Sequence, residues 1–335
     1  MVRLRTVSPS SRGWTRRRAG KGFVYVDEHR QRLGPEDVER IRGLVIPPAW
    51  ENVWICPVPN GHIQAVGTDA AGRRQYLYHP DWRTKRDQQK FERVTKIAAE
   101  LSKTRASVLE HLALDGMPLE RAAATAVRLL DLGYFRIGSD AYVDENGGFG
   151  LTTLERRHVR RHRDKLVFCF VGKSGVEHCI EIDDPLSIAA VETMRRRRSQ
   201  DARLMAYRAG RLWSPLDAAR VNEYLRTSTG GDMTAMDFRT WHATVLAAAA
   251  LAASDEPGDT KASRKRAVRK AMVEVSTYLG NTPAIAKASY VDPRVIDQYE
   301  GGVTIADALH EEYATPEERQ EGSERAVLQL LADAS

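Results

Sequence analysis

The side chains in this sequence that could do chemistry are cations set beside strong local structure signals, together with tyrosines. Arg136 follows a helix stop at Gly133, inside Tyr134-Phe135-Arg136-Ile137-Gly138-Ser139-Asp140-Ala141-Tyr142. Lys173 sits in Gly172-Lys173-Ser174-Gly175, between two runs rich in β-branched and aromatic residues. Arg239 stands next to an apolar stripe containing Phe238 and Trp241, and Tyr290 ends the stretch opened by Thr282-Pro283. Guanidinium and ammonium groups bind and stabilise oxyanions, and a phenol can attack an electrophile once it is deprotonated. Taken singly, each also has a plain structural reading: a surface ion pair, a solvated turn, a stem covering apolar surface, a packing ring.

Three common motifs are excluded. The Gly172-Lys173-Ser174 triplet lacks the upstream glycine of a phosphate-binding loop, because Val167 occupies that position, and a strand follows where a helix is required. His158 and His162 have no Cys, Asp or Glu partner at zinc-ligand spacing, so they read as part of a solvated basic face. No Gly-x-Ser-x-Gly elbow occurs.

The elements that must position these residues change character along the chain. Phe23 to Val26 and Trp54 to Val58 read as strands, and Ile63 to Val66 and Gln75 to Tyr78 as a hairpin pair around Gly67 to Gly72. A short helix is expected near Pro35 to Arg42. From Gln88 the period becomes helical: Val94, Ile97, Ala98 and Leu101, then Leu119, Ala123, Ala126 and Leu130, with Gly133 as C-cap. Leu166 to Val171 and Glu177 to Ile182 interrupt this region as a hairpin with Lys173 at its tip. Thr234 with Asp237 forms a capping box opening a helix through Phe238, Trp241, Val245 and Ala249. The expected class is α+β: a small N-terminal antiparallel sheet domain, then a larger, mainly helical domain with an inserted hairpin. The expected divisions are a basic arm (1–20), a β-rich domain (21–85) and a mainly helical domain (86–335) ending in an acidic tail.

Charge distribution narrows the partner. The 335 residues carry a net +6, but residues 292–335 hold 3 basic against 11 acidic residues, a balance of −8, which leaves +14 on the rest. A basic body with an acidic end fits a polyanion. No apolar run is long enough to span a bilayer. The three cysteines, Cys56, Cys169 and Cys179, are few and odd in number, as expected of a reducing cytosol. The Arg-rich start has no apolar segment of signal-peptide type and reads as an arm that touches phosphates.

Together and in this order, several segments resemble the type IB DNA topoisomerases, in their compact bacterial and poxvirus-like branch. They are Gly72-Arg73-Arg74-Gln75-Tyr76, Tyr134-Phe135-Arg136-Ile137-Gly138, Phe170-Val171-Gly172-Lys173, Val221-Asn222-Glu223-Tyr224-Leu225-Arg226, Asp237-Phe238-Arg239-Thr240-Trp241, and Tyr278-Leu279-Gly280-Asn281-Thr282-Pro283 running to Tyr290. The resemblance implies that Tyr290 is the nucleophile, that Arg136, Lys173, Arg239 and Asn281 complete the site, and that Arg73, Arg74, Gln75, Tyr76 and Tyr142 contact DNA. It implies relaxation of supercoiled duplex DNA through a 3′-phosphotyrosyl intermediate, by a clamp, with no nucleotide, metal or other cofactor. The expected partner is double-stranded DNA and no membrane, and the expected setting is a monomer in the bacterial cytoplasm, at the nucleoid.

Two departures from the family pattern matter. Asn281 stands where some branches have histidine, which keeps a hydrogen-bond donor and loses a protonatable one. Met236 stands where many relatives have lysine, which removes a cation. An unbroken helix would set Asn281 and Tyr290 about 13 Å apart along its axis. A tyrosine recombinase shares the Arg, Lys, Arg, Tyr set but has His-x-x-Arg at the second arginine, where this chain has Met236-Asp237-Phe238-Arg239. An architectural DNA binder would keep the basic body but has no reason to keep Tyr290 with its cations.

Overall fold

A computed structural model describes residues 2–140, 143, 147–255 and 260–334. The chain divides into two units, Met1–Lys90 and Phe91–Ser335. The first holds a five-stranded antiparallel sheet in the order β2-β1-β3-β4-β5, made of β1 (Trp14–Ala19), β2 (Gly22–Val26), β3 (Glu51–Ile55), β4 (Ile63–Thr68) and β5 (Arg74–Tyr78). Helix α1 (Pro35–Gly43) lies between β2 and β3 in sequence. The core of this unit is Ile41, Ile46, Val53, Ile55 and Ala65, with Trp14 and Trp50 packed against it. The β4–β5 hairpin is present as expected, with Val66 facing Tyr76 and Thr68 facing Arg74.

Residues 14–19, counted with the basic arm in the sequence, form β1 and pair with both β2 and β3. Arg16 is spent on structure: its Nη2 donates to the carbonyls of Pro47 (2.7 Å) and Trp50 (2.6 Å), and its guanidinium lies over the Phe23 ring. Burial lowers its pKa first, and the like charge of Arg18 adds to that, against the pull of Tyr25. The division between the units falls within α2 (Pro80–Ala98).

The second unit is mainly helical. After α2 come α3 (Leu101–Leu112) and α4 (Leu119–Gly133), then a three-stranded sheet of β6 (Val159–His162), β7 (Lys165–Val171) and β8 (Glu177–Ile182). Helix α5 (Pro185–Arg195) and the small hairpin β9 (Ala206–Ala209) with β10 (Leu212–Pro215) follow. The remainder is α6 (Ala218–Thr229), α7 (Ala235–Ala252), α8 (Lys261–Leu279), α9 (Pro283–Ser289), α10 (Pro293–Glu300), α11 (Ala306–His310) and α12 (Pro316–Ala332). The protein is therefore α+β, as the sequence pattern implies. Trp241, Phe135, Phe168 and Phe238 are among the largest fully buried side chains of its core.

Several local expectations need correction. Helix α4 runs through Gly133, and Tyr134 is the left-handed C-cap (φ 53°). Gly133 is there for space, because a Cβ would fall 2.3 Å from the Phe135 ring. His158 and His162 lie in different local structures. His158 Nδ1 accepts from the Glu155 N–H at 3.0 Å in a short turn, and His162 ends β6. The Cys169 and Cys179 side chains are joined by a disulfide across β7 and β8, which leaves only Cys56 as a free, buried thiol.

The acidic C-terminal segment is not a free tail. Most of the charged side chains of α12 are exposed, while Val327, Leu330 and Leu331 are buried in the core and Glu324 is buried with them. Glu324 of α12 takes a bidentate grip on Arg105 of α3 (2.7 and 2.8 Å), and the same guanidinium binds Asp131 of α4 (2.8 and 2.9 Å). His242 Nε2 of α7 lies 3.0 Å from Asp131. Burial would push the Asp131 carboxyl up, but Arg105 and His242 override it and hold the group well below the usual carboxylate range.

Removing one partner of such a pair strands the others in a low-dielectric interior. Arg105→Ala is therefore expected to cost about 3–5 kcal/mol in denaturant unfolding. Because Asp131 titrates lower when folded than when unfolded, its stabilisation is complete above the ordinary carboxylate pKa and is lost as pH falls through the folded value. Wild-type stability should therefore drop in acid, and a loss from Arg105→Ala within about 0.5 kcal/mol would show that the network is dispensable.

Candidate active site

Four of the five expected catalytic residues come together. Arg136, Lys173, Arg239 and Tyr290 line one pocket of about 290 Å³, with Met236, Phe149, Gly138 and Gly150 on its walls. The backbone that carries Arg136 is fixed by a close approach. Gly138 is left-handed (φ 89°), and a Cβ on Gly150 would lie 2.5 Å from the Gly138 Cα. That contact lets the Leu151 and Thr152 N–H groups donate to the Arg136 and Ile137 carbonyls, each at 2.8 Å.

Arg239 rides on the first turns of α7, whose start is fixed by the capping box seen in the sequence. The Thr234 N–H donates to Asp237 at 2.7 Å, and Asp237 is in turn gripped by Arg93. Met236, one position before the box's aspartate, is 59% exposed, so the pocket rim lacks a cation there.

Both arginines are anchored on the end of α8. Arg239 donates Nη2 to the Leu279 carbonyl at 2.6 Å and Nη1 to the Tyr134 carbonyl. Arg136 Nη2 donates to the Gly280 carbonyl at 3.2 Å. The C-terminal carbonyls of a helix carry partial negative charge, so they suit two neighbouring guanidinium groups. Gly280 is the left-handed cap that ends α8 (φ 59°), and a Cβ there would meet the His178 ring at 2.3 Å. His178, stacked on Phe170, is kept toward its neutral form by burial first and then by Arg136 and Arg239. Among the described residues, the Nε atoms of Arg136 and Arg239 are buried without a hydrogen-bond partner, which leaves donors unspent in a cationic corner.

Tyr290 closes the site as the residue capping α9. The Arg239 guanidinium lies 5.7 Å from the centre of its ring. Burial pushes the Tyr290 phenol up, but the charges of Arg239 and Arg136, with hydrogen bonds from both, more than offset it and hold the pKa below the ordinary tyrosine value. Burial likewise lowers the pKa of Arg239, and repulsion from Arg136 adds to it, against the pull of Tyr290.

Asn281 stands apart. A short helix opened by Thr282-Pro283 is present as α9 (Pro283–Ser289), and because α8 stops at Leu279 the unbroken helix behind the spacing of about 13 Å from Asn281 to Tyr290 does not exist. Asn281 does not line the pocket, and its Nδ2 and Oδ1 are buried without a partner.

Sequence reasoning missed one residue that positions Tyr290. Thr244, on α7 five residues beyond Arg239, places its hydroxyl 2.9 Å from the Thr240 carbonyl and 3.3 Å from the Tyr290 carbonyl. The same oxygen accepts from the buried Asp292 N–H at 3.2 Å. The chain immediately following the phenol-bearing residue is thus tied to the helix that carries Arg239. A threonine five positions past an arginine is an unremarkable helix residue in sequence, so only the fold marks it. Thr244→Val keeps the shape and orphans the Asp292 N–H, so a loss of about 1–3 kcal/mol is expected in denaturant unfolding. Single-turnover cleavage should slow with it, and Thr244→Ser should restore both; a valine variant as fast and as stable as wild type would contradict this role.

The expected DNA-contact residues lie in the sheet unit, except Tyr142, which lies outside the described residues. Along β5, Arg74, Tyr76 and Tyr78 share the exposed face, with the two tyrosine rings stacked 6.0 Å apart and Arg74 over Tyr76. Gln75 alternates to the opposite face, where its amide donates to Asp69 at 2.9 Å. Arg73 is paired with the same carboxylate, whose pKa is lowered to about 2, first by the Arg73 backbone N–H and then by the side chains of Arg73 and Gln75.

Comparison with known proteins gives concordant matches. A family model described as "Eukaryotic DNA topoisomerase I, catalytic core" matches residues 79–315, most of the chain. A second, described as "Bacterial DNA topoisomerase IB, N-terminal domain", matches residues 22–69. Among individual proteins, "DNA topoisomerase 1B" of Acanthamoeba polyphaga mimivirus is 26% identical over 296 residues, covering 86% of this chain and 88% of that protein. "DNA topoisomerase 1B" of Vaccinia virus is 28% identical over 116 residues, covering 34% of this chain and 36% of the viral one. "DNA topoisomerase 1" of Rabbit fibroma virus is 29% identical over 117 residues, with the same coverage.

Proposed function

The chain belongs to the type IB DNA topoisomerases, and we propose that it performs that family's reaction with Tyr290 as nucleophile and Arg136, Arg239, Lys173 and Asn281 as its partners. The reaction relaxes supercoiled duplex DNA by cutting one strand through a 3′-phosphotyrosyl link, letting the free 5′ end rotate, and religating. The observation that carries the assignment is the convergence of Arg136, Lys173, Arg239 and Tyr290 on one pocket, with the Arg239 guanidinium 5.7 Å from the centre of the Tyr290 ring; the two arginines also hold the phenol below its ordinary pKa in spite of burial. A phenol of pKa near 10 is mostly protonated at neutral pH, and a phosphodiester repels an anionic attacker. The two guanidinium groups ease both problems: they favour the phenolate and hold the non-bridging oxygens as charge builds in the pentavalent transition state.

Lys173, on the tip of the β7–β8 hairpin and on the wall of the same pocket, supplies the proton that the departing 5′ oxygen needs. Asn281 takes a lesser part, as an amide donor brought to the phosphate when DNA is bound. Religation runs the same steps backwards, with Lys173 as base, and the phosphotyrosyl bond conserves the energy of the broken linkage.

The sheet unit is the DNA-binding domain, and the residues from about 86 onward form the catalytic domain. Arg74 and Tyr76 meet the duplex from the exposed face of β5. Arg73 and Gln75 join them by giving up Asp69, and Tyr142 contributes from the catalytic domain. Such contacts fix register on the backbone without reading sequence. Among the described residues no helix is long and apolar enough to cross a membrane. We read the enzyme as a monomer that acts at the bacterial nucleoid.

The test is a supercoiled plasmid incubated with the protein in the absence of ATP and magnesium. A ladder of relaxed topoisomers is expected, and plasmid that is bound yet still fully supercoiled would reject the assignment in favour of a non-catalytic binder.

A further inference from the structure

The hairpin that presents Lys173 has two unlike faces. Leu166, Phe168 and Phe170 of β7 are buried in the core, while Cys169 alternates to the opposite, partly exposed face. On β8 the Cys179 residue is exposed. In the antiparallel register Cys169 faces Cys179, with Cα atoms 4.3 Å apart. That is the spacing of a narrow, non-hydrogen-bonded pair, whose side chains approach most closely. The two sulfurs are bonded, and the covalent ring they close contains the whole tip, Gly172 to Val176.

Among the described residues, the tip is closed by local backbone bonds. The Gly172 N–H donates to the Val176 carbonyl at 2.7 Å and the Gly175 N–H to the Gly172 carbonyl at 3.2 Å. One bond arrives from outside, from the Phe149 N–H to the Val171 carbonyl at 2.9 Å. Lys173 itself is exposed, on a flexible four-carbon stem.

We propose that the Cys169–Cys179 disulfide is a positioning element for Lys173, so that strand cleavage and religation respond to the thiol redox state around the enzyme. The proposal rests on the reading of Lys173 as the group that protonates the leaving oxygen. A misplacement of about 1 Å in a reacting group can cost on the order of 10²-fold in rate, so a tip released from its covalent ring slows proton delivery.

The exchange balances with ordinary thiol chemistry. A dithiol reductant attacks the exposed Cys179 sulfur as a thiolate and forms a mixed disulfide, and its second thiol then resolves this. Two electrons and two protons pass to the protein, giving two cysteine thiols and an oxidised reductant. In the reverse direction a small disulfide such as oxidised glutathione is reduced to two thiols as the Cys169–Cys179 bond forms.

The experiment measures single-turnover cleavage of a duplex by the full-length protein, oxidised with glutathione disulfide or reduced with dithiothreitol. Alkylation and mass shift verify each state. The oxidised wild type is expected to cleave about 5- to 20-fold faster than the reduced. The double variant Cys169→Ser, Cys179→Ser should stay at the reduced rate under both conditions.

A second substrate carries sulfur in place of the bridging 5′ oxygen at the scissile phosphate. A thiolate leaves without a proton, so the redox difference should vanish on it. Equal rates for verified oxidised and reduced wild type, or a difference that persists on the sulfur substrate, would overturn the proposal. Lys173→Ala separates this failure from failure of the underlying reading. If it cleaves the oxygen substrate as fast as wild type, the lysine is not the acid; if it is slow while wild type ignores redox state, only the disulfide's role is wrong.

Discussion

Tyr290→Phe is expected to abolish plasmid relaxation and the covalent protein–DNA adduct together, while duplex binding stays within about twofold of wild type. The substitution removes one oxygen and leaves the ring that Arg239 lies against, so the packing around α9 is kept. Ser139 is the other hydroxyl on the pocket wall, and Met236 and Phe149 carry no nucleophile, so loss of the adduct with Ser139 intact would assign the attack to the phenol. The phosphate contacts that set affinity come from cations that the change does not touch, so the salt dependence of binding should also be unchanged. Filter binding and gel electrophoresis of topoisomers read the two effects separately, and residual relaxation above background would mean another residue attacks.

Arg239→Ala should slow single-turnover cleavage by about 10²–10³-fold, the usual cost of removing one donor aimed at developing oxyanion charge. Its pH dependence carries more information than the rate. With Arg239 gone, burial of Tyr290 is opposed by Arg136 alone, so the phenol pKa moves up and the rate should climb to higher pH than in wild type. Arg239→Lys should rescue little, because one ammonium cannot hold the Tyr134 and Leu279 carbonyls and still present a fork to phosphate. Those two carbonyls lose their donor in the alanine variant, so thermal melting must accompany the kinetics. A folded Arg239→Ala variant with wild-type rate and pH profile would remove this residue from the chemistry.

The parts of this molecule that could be read from sequence are those where one periodicity dominates over a short range. The β7–β8 hairpin sets two runs rich in β-branched and aromatic residues around a glycine turn, and the Thr234–Asp237 box announces α7, so both are where the sequence puts them. Strand β1 was hidden because three arginines occupy it and Arg16 hides its charge in hydrogen bonds with carbonyls from the β3 side of the sheet. The ordered α12 was hidden by its own acidity: the apolar positions Val327, Leu330 and Leu331 follow helical spacing, but most of its charge faces outward. Neither the Cys169–Cys179 bond nor the Arg105–Asp131–Glu324 network can be inferred from spacing, since each depends on which elements fold together.

The site divides the same way. Arg136, Lys173, Arg239 and Tyr290 are individually ordinary, and only their order along the chain, read as a family resemblance, marked them as a set. The fold brings these four to one pocket, while Asn281 lies beyond the cap at Gly280 and off its wall. The break between α8 and α9 explains the difference. The spacing of about 13 Å holds only along a continuous helix, whereas Gly280 turns left-handed and Pro283 starts the new helix that Thr282-Pro283 signals in the sequence.

The central claim is that Tyr290 attacks a DNA phosphate and keeps the 3′ side. The most direct test traps the reaction with denaturant on duplexes labelled at either end of the scissile strand, digests the adduct with protease, and sequences the labelled peptide by mass spectrometry. The account predicts that the nucleotide is carried on the peptide containing Tyr290, linked through a 3′ phosphate with a free 5′ hydroxyl on the other fragment. A nucleotide on any other residue, or a link through the 5′ phosphate, would contradict it.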